Sequence, residues 1–283
     1  MKKILLLGLA TFSLSGFTHV QKLCQGIFPK NHLWIGVGLT DSGISEATFD
    51  GVLDKVVAVY NPIAQAHGFQ LQFNRLWSDG TVNSDTDTEG DTWVINSYGG
   101  LARYQGMTAD GYAAVACHEL GHHLGGAPMF SDGSGMSVEG EADYHVGTKC
   151  LRNLWVNDDN ITLMSNQTID PTVVQKCTAS FTGNAAEIAL CERSAAASFV
   201  VADILRQLED DPALGFNTPD PSQVDQTNED HPKAQCRLDT YFNSGICTVP
   251  ASVEFSPTDE TVGACMTDPG VRPRCWYKQA TSN

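Results

Sequence analysis

The stretch that most constrains the fold is His118-Glu119-Leu120-Gly121-His122, which lies in a run of small and apolar residues from 113 to 126. This run predicts one helix, and histidines four residues apart project from the same face of a helix, about one turn from each other. One tetrahedral metal ion can then take both imidazole nitrogens. Glu119 is offset by one position and points beside the metal, where it can act as a base toward water. The alternative is that the histidines are ordinary polar residues of an amphipathic helix.

A catalytic zinc site has three protein ligands and one open position. An extended motif would place a third histidine three residues after Gly125, but Pro128 stands there. The third ligand is therefore expected further along, in residues 138–152, a stretch that reads as a helix. It contains two candidate carboxylates, Glu139 and Glu141.

Helical spacing separates these two carboxylates into two rows. One row is partly apolar with two acids at one end: Glu139, Asp143, Val146 and Cys150. The other is expected to face water, with His145 as a surface histidine: Glu141, His145, Thr148 and Arg152. Acids on a buried face need a partner, so Glu139 is predicted as the third ligand. Asp143 is predicted to accept the free ring N–H of a ligand histidine, and Glu141 stays the weaker alternative ligand.

Four features together give the chain a likeness to a known family. They are Gly99-Gly100 before the helix, the helix motif itself, Glu139-x-x-x-Asp143, and the late segment His231-Pro232-Lys233-Ala234-Gln235-Cys236-Arg237. With these features the chain resembles zinc metallopeptidases of the gluzincin group, of the HtpX and CAAX-prenyl-endopeptidase type. The likeness covers roughly residues 93–237. Two departures are the short gap of 16 residues between His122 and Glu139 and the absence of that family's membrane helices.

The resemblance implies a Zn²⁺ site with His118, His122 and Glu139 as ligands. It implies that His231 approaches the reacting carbonyl group and that Arg237 supports it. The expected activity is an exported zinc endopeptidase that acts on a protein or peptide substrate, with Glu119 as the general base. Two other readings stay open: a zincin-fold binding protein that holds zinc without turnover, and a structural secreted protein whose histidines bind no metal.

The net charge and the N-terminal residues indicate which partners and which location to expect. The net charge of −16 and the lack of a basic stripe argue against a nucleic-acid partner. Residues 1–20 are expected to be a signal peptide, since Lys2 and Lys3 precede a short apolar run. No later stretch is apolar enough to span a bilayer. A periplasmic or extracellular location is therefore expected.

The chain has nine cysteines, and export makes disulfides the expected state. Cys117, next to His118, is interpreted as a small buried side chain outside any bridge. The other eight could form up to four bridges, whose pairing the sequence leaves open. Residues 246–283 are expected to be a tail rich in cysteine and proline that disulfides hold in place.

The predicted fold class is α+β and zincin-like: a small mixed sheet with an active-site helix, then a mainly helical C-terminal part with disulfides. The metallopeptidase domain is expected over residues 21–245. Strands are predicted at 33–39, 69–73, 92–96 and 101–104, an acidic loop at 78–91, and helices at 45–67, 171–176 and 184–209. A Pro- and Asp-rich loop is expected at 210–230. An edge strand of the sheet could pair with an extended substrate above the metal.

Overall fold

The computed structural model describes residues 26–38 and 43–279. It has α+β architecture, with a three-stranded sheet and a larger set of helices, as the sequence predicts. The expected signal peptide and Cys24 lie outside the described residues. Within them, no helix combines the length and the apolar character that a membrane span requires.

The first helix, α1 (Glu46–Ala66), begins where the sequence predicts. The Ser45 hydroxyl accepts a hydrogen bond from the Thr48 N–H at 3.2 Å, which caps the first turn. Its buried face carries residues at helical spacing: Phe49, Leu53, Val56, Tyr60 and Ala64. Gly68, with a φ of 87°, turns the chain into the sheet. The helix therefore forms one wall of the main core.

The sheet contains β1 (Gln70–Leu76), β2 (Ser84–Glu89) and β3 (Thr92–Tyr98), in the order β1-β3-β2. β1 runs parallel to β3, and β2 runs antiparallel to it. β2 corrects the prediction of an acidic loop over 78–91. Its buried side chains are small and polar, and they alternate with half-buried acids. The segment therefore has the two-residue alternation of a strand, but without the apolar residues by which such alternation is usually recognised.

Two predicted strands are wrong. In 33–38, Trp34 forms only an isolated bridge with Thr81 and its surface is 62% exposed, so no sheet neighbour holds this segment; Leu39 lies outside the described residues. Residues 101–104 fall in or just after a short helix, α2 (Gly99–Ala102). A Cβ on Gly100 would lie 2.0 Å from the Gly80 carbonyl oxygen. The two glycines therefore allow a close backbone crossing, and the chain coils there.

The metal-motif helix is α3 (Ala109–Leu124), and the Thr108 hydroxyl caps it by accepting the Gly111 N–H at 3.0 Å. Every residue from 111 to 122 is buried, because α3 packs against the sheet, α1 and a long later helix. A small Gly121 lets a second segment approach, since a Cβ there would lie 2.6 Å from the Ala142 carbonyl oxygen. The crossing of these two segments sets the geometry of the site.

That second segment is α4 (Glu139–His145), followed by a π-helical turn (Val146–Cys150) and α5 (Leu151–Trp155). The prediction that one row of this segment faces water is wrong, because all four of its residues are buried: Glu141, His145, Thr148 and Arg152. The C-terminal segment covers this face. Arg272 pairs with Glu141 through two contacts of 2.5 and 2.7 Å, so His145 is not a surface histidine.

The remaining helices lie in the C-terminal half: α6 (Asn160–Ser165), α7 (Pro171–Ser180), α8 (Ala185–Glu209) and α9 (Ala234–Ile246). The predictions of α7 and α8 are confirmed, with α7 running four residues further than expected. Residues 211–230 form no helix or strand, as expected for a Pro- and Asp-rich loop. The sequence reading missed α9, which carries Arg237 and packs on α8.

Four disulfides join the cysteines of the described chain: Cys117–Cys150, Cys177–Cys191, Cys236–Cys275 and Cys247–Cys265. The interpretation of Cys117 as an unbridged side chain is therefore wrong. Its Cα lies 5.5 Å from that of Cys150, because α3 and the π-helical turn cross there. Cys236–Cys275 attaches the C-terminal tail to α9, and Cys247–Cys265 closes a loop within the tail, so disulfides hold the tail in place, as predicted.

The Cys117–Cys150 bridge ties the motif helix to the segment that follows Glu139. Replacing both cysteines by alanine should lower the free energy of unfolding by about 3–4 kcal/mol, since the bridge closes a loop with a separation of 33 residues. It should also weaken metal binding. The matched control is the Cys177→Ala/Cys191→Ala pair, which should lower stability by about 3 kcal/mol without changing metal affinity. Equal metal affinity in both double variants, measured by competition with a chromogenic chelator, would contradict this role.

Candidate metal centre

Three side chains converge at the crossing of α3 and α4. His118 and His122 project from one face of α3, and Glu139 is the first residue of α4. One potential ligand atom from each lies within 4.8 Å of the other two. Glu139 Oε2 is 3.2 Å from His118 Nε2, and Glu139 Oε1 is 3.8 Å from His122 Nε2. All three side chains are buried, so this group could hold a metal ion.

The outer ring nitrogens of both histidines are held by fixed acceptors. His118 Nδ1 lies 2.8 Å from Asp143 Oδ1, and His122 Nδ1 lies 2.8 Å from the Ser137 carbonyl oxygen. A carbonyl oxygen only accepts, so the His122 proton sits on Nδ1 and Nε2 presents a lone pair toward Glu139. Acceptors of this kind orient metal-binding imidazoles in general. Both rings are therefore set with Nε2 directed inward.

The donor set fits a transition-metal ion. His118 Nε2 is buried and makes no hydrogen bond of acceptable geometry, although Glu139 Oε2 is close. Buried polar atoms without partners are rare in folded proteins, and a bound cation would satisfy this one. Two imidazoles and one carboxylate are a donor set that zinc accepts. The geometry itself leaves the identity of the metal open.

Burial keeps His122 neutral, and the neighbouring histidines keep Glu139 ionised. Burial lowers the pKa of His122 to about 4, so its imidazole is available as a neutral ligand. Burial would raise the pKa of Glu139, but the electrostatic interaction with the histidines around it, His231, His122 and His118, together with the hydrogen bond from His118, holds that pKa below its usual range. Burial also opposes the charging of His118, yet Asp143 raises the pKa of His118 to about 9. A divalent cation would compete with that proton.

Arg237 supports the centre from behind, through Asp143. Its guanidinium donates from Nε to Asp143 Oδ2 at 2.8 Å and from Nη2 to Asp143 Oδ1 at 2.6 Å. It also donates to the Tyr241 hydroxyl and the Ile27 carbonyl oxygen. Both partners of the ion pair are fully buried. Arg237 therefore fixes the carboxylate that in turn orients His118.

His231 stands beside the third candidate ligand. Its Nε2 lies 3.4 Å from Glu139 Oε2 and 2.6 Å from the Gly26 carbonyl oxygen. Because the Gly26 oxygen can only accept, Nε2 is the protonated nitrogen. The loop after α8 brings this histidine to the group, and the segment at Gly26 holds it there. Its predicted action on the reacting carbonyl group stays a prediction.

Glu119 is fully buried, and neither of its carboxyl oxygens has a hydrogen-bond partner. Burial raises the pKa of Glu119 to about 8; the His118 charge opposes this, and the Asp85 and Glu139 charges add to it. An unpartnered carboxyl group inside a protein is costly. A buried glutamate without a hydrogen-bond partner is therefore unusual, and its position beside the histidines indicates a chemical role there.

Glu141, the alternative ligand, does not belong to this group. It faces the C-terminal tail and its carboxylate is taken by Arg272. The tail also holds α4 in place, because a Cβ on Gly140 would lie 2.2 Å from the Trp276 ring. Sequence reasoning missed Arg272 and Trp276 as supports for α4. The sequence feature that indicates close packing around α4 is the pair of glycines, Gly121 and Gly140. Gly121 lies against Ala142 and Gly140 against the Trp276 ring.

No second plausible metal group stands out in the described part of the chain. The other set of close potential ligands is Asp220, Cys236 and Cys275, but those two cysteines are joined in a disulfide. In β2, Asp85 accepts hydrogen bonds from the Asn96 amide at 2.7 Å and the Tyr98 hydroxyl at 2.8 Å. The Asp85 carboxylate is therefore satisfied by two neutral hydrogen-bond donors.

Comparison with known proteins gives no match: no family model, no curated protein and no solved structure is similar to this chain. The likeness to gluzincin peptidases thus depends on the motifs alone. What stands independently of it is the α+β fold, the four disulfides and the buried His118, His122 and Glu139 group.

Proposed function

We propose that this protein is a zinc-dependent endopeptidase of gluzincin type. The observation that carries the proposal is the pairing of a buried His-His-Glu group with a buried, unpartnered Glu119 on the same helix. A site that only stores a metal has no need of this fourth group. A hydrolase needs it, because water must lose a proton as it attacks and the leaving nitrogen must gain one.

In this proposal His118, His122 and Glu139 hold Zn²⁺. The ion would supply a Lewis acid that polarises a carbonyl group and makes water more acidic. Glu119 takes the proton from the attacking water and passes it to the leaving amine. Its carboxyl oxygens have no hydrogen-bond partner in the described structure, which suits a group that accepts and returns a proton.

Two further parts of the chain have roles in the proposal. His231 turns its Nε2–H from the Gly26 carbonyl oxygen toward the oxygen on which negative charge develops, and Arg237 keeps Asp143 and His118 in position. β2 pairs with β3 on one side only in the described sheet. On its other edge the Ser84 carbonyl oxygen accepts the Ile27 N–H, and the edge beyond Ser84 is available for an extended peptide backbone. Thr86 of β2 lies 2.7 Å from His123 on α3, which places this edge against the motif helix.

The proposal includes export. Four disulfides fit an oxidising compartment such as the periplasm or the extracellular space. The lysines and apolar run at the start of the sequence would then act as the leader. The proposed fold family is zincin-like, with α3 as the active-site helix and residues 246–283 as a tail that braces α4.

The experiment that tests the function is hydrolysis of casein with and without a zinc chelator. The zinc-loaded protein should cleave casein, 1,10-phenanthroline should stop cleavage, and added zinc should restore it. Cleavage that continues in the chelator would contradict the metal-dependent mechanism. A zinc-loaded protein that leaves both casein and a broad peptide library intact would favour the alternative, a zincin-fold protein that binds without turnover.

A further inference from the structure

A cavity of about 460 Å³ lies between α1, the C-terminal end of α3, the π-helical turn and residues 251–257. Its lining includes none of the metal-group residues and not Glu119. One part of the wall is apolar, with five large side chains: Val59, Ile63, Leu124, Met129 and Phe255. Cavities of this size and character are typical of small-molecule sites when a few polar groups converge in them.

The first polar group in the wall is His145, which is 2% exposed. Its Nδ1 lies 3.3 Å from the Cys117 carbonyl oxygen. Because that oxygen can only accept, the ring proton is on Nδ1 and Nε2 carries a lone pair. Nε2 makes no hydrogen bond with any part of the chain that the structure describes. The cavity therefore contains an acceptor that a ligand could satisfy with a donated proton.

The second polar group is Lys149, about one helical turn from His145 and also buried. Its ammonium contacts the Pro250 and Gly263 carbonyl oxygens at 3.3 and 2.8 Å and lies 4.7 Å from the centre of the Phe255 ring. It forms no ion pair among the described residues. Burial lowers its pKa to about 7. A buried cation that only dipoles satisfy is stabilised by an added negative charge.

The surroundings compensate this positive charge only in part. Arg152, on the next turn, donates its hydrogen bonds to carbonyl oxygens, those of Gly245, Cys247 and Val249, and interacts with Glu187. Glu141 is the nearby buried acid, and Arg272 takes both of its oxygens. The acid in the cavity lining is Glu254, which is exposed and lies 3.5 Å from His67. The inner end of the cavity is therefore positive, and the mouth carries the acid.

We propose that this cavity binds a small monocarboxylic acid with an apolar, ring-sized body. The body packs against the apolar wall. The carboxylic acid passes its proton to His145 Nε2, and the carboxylate that remains faces the Lys149 ammonium. One ligand group thereby supplies both a proton for the acceptor and a negative charge for the buried ammonium. The proposal is independent of the hydrolytic function, because it uses none of the residues assigned to that function.

Calorimetric titration with 2-naphthoate tests the proposal, with 2-naphthamide as a neutral ligand of the same shape. The zinc-loaded protein should bind one naphthoate per chain and should bind the amide at least tenfold more weakly. Lys149→Met keeps the apolar stem and removes the charge, so it should abolish the preference for naphthoate. Ala251→Trp, which places a large ring in the cavity lining, should abolish binding of both ligands.

The matched control is Lys176→Met, since Lys176 also lies over an aromatic ring, that of Phe242 at 5.4 Å, but outside the cavity. It should bind naphthoate as the unmodified protein does. Naphthoate binding that survives Ala251→Trp would place the ligand elsewhere, for instance on the metal, and would overturn the proposal. So would equal affinity for acid and amide, or no binding of naphthoate. If Lys149→Met does not fold, Ala251→Trp and the amide comparison still decide.

Discussion

Glu119→Gln should reduce casein hydrolysis by about 10²- to 10⁴-fold, the usual contribution of a general base, and should leave bound zinc unchanged. Glutamine has the shape of glutamate but accepts no proton. The carboxyl oxygens of Glu119 have no hydrogen-bond partner in the described structure, so the substitution breaks no contact that holds the fold. The measurements are the hydrolysis rate and the zinc content of the same preparation.

The control for this variant is Glu192→Gln, the same chemical change on α8. It should retain full activity, which excludes an effect of the changed net charge. Retention of hydrolysis by Glu119→Gln would show that another group moves the proton, or that a contaminating protease causes the signal. Loss of zinc in Glu119→Gln would instead make Glu119 part of the binding group.

Glu139→Gln and Glu141→Gln should have opposite effects, although both acids are buried and only two residues apart. Glu139→Gln removes the anionic member of the metal group, so zinc affinity should fall by at least tenfold while the fold remains. Glu141→Gln leaves Arg272 buried without its counter-charge. Breaking a buried pair in this way costs about 3–5 kcal/mol, so thermal stability should fall while zinc stays bound.

Competition with a chromogenic chelator gives the zinc affinity of each variant, and urea unfolding gives the stability. Each variant serves as the control for the other, because both exchange one buried carboxylate for an amide. If Glu141→Gln loses zinc and Glu139→Gln keeps it, the assignment of the third ligand is wrong.

The metal group could be predicted from sequence because its information is local. The spacing of His118 and His122 on one helix and the phase of Glu139 and Asp143 on the next are fixed by helical geometry. The structure brings Glu139 to the histidines and Asp143 to His118. Their binding of zinc stays a prediction.

On the opposite row of that segment, polar residues do not mean a face in water. Glu141 and Arg152 are covered by the C-terminal tail and the end of α9. Only the three-dimensional path of the tail shows this. The π-helical turn at Val146–Cys150 also changes the helical phase, and no feature of the sequence marks it.

The disulfide at Cys117 and the strand β2 were missed for a related reason. The sequence neighbours of Cys117 do not indicate a bridge, because its partner Cys150 comes from a different segment. The acids of β2 suggest a loop, whereas its pairing with β3 and the contact of Thr86 with His123 decide its structure. Both depend on contacts between distant residues, which composition does not encode.

X-ray absorption at the zinc edge, on protein purified without chelators, reports the atoms that bind the metal. We expect one zinc per chain with only nitrogen and oxygen neighbours, at about 2.0–2.1 Å, and with the scattering pattern of two imidazole rings. The His118→Ala variant should lose this signal. A chain that binds no zinc, or a spectrum with sulfur neighbours at about 2.3 Å, would contradict the His118, His122 and Glu139 site.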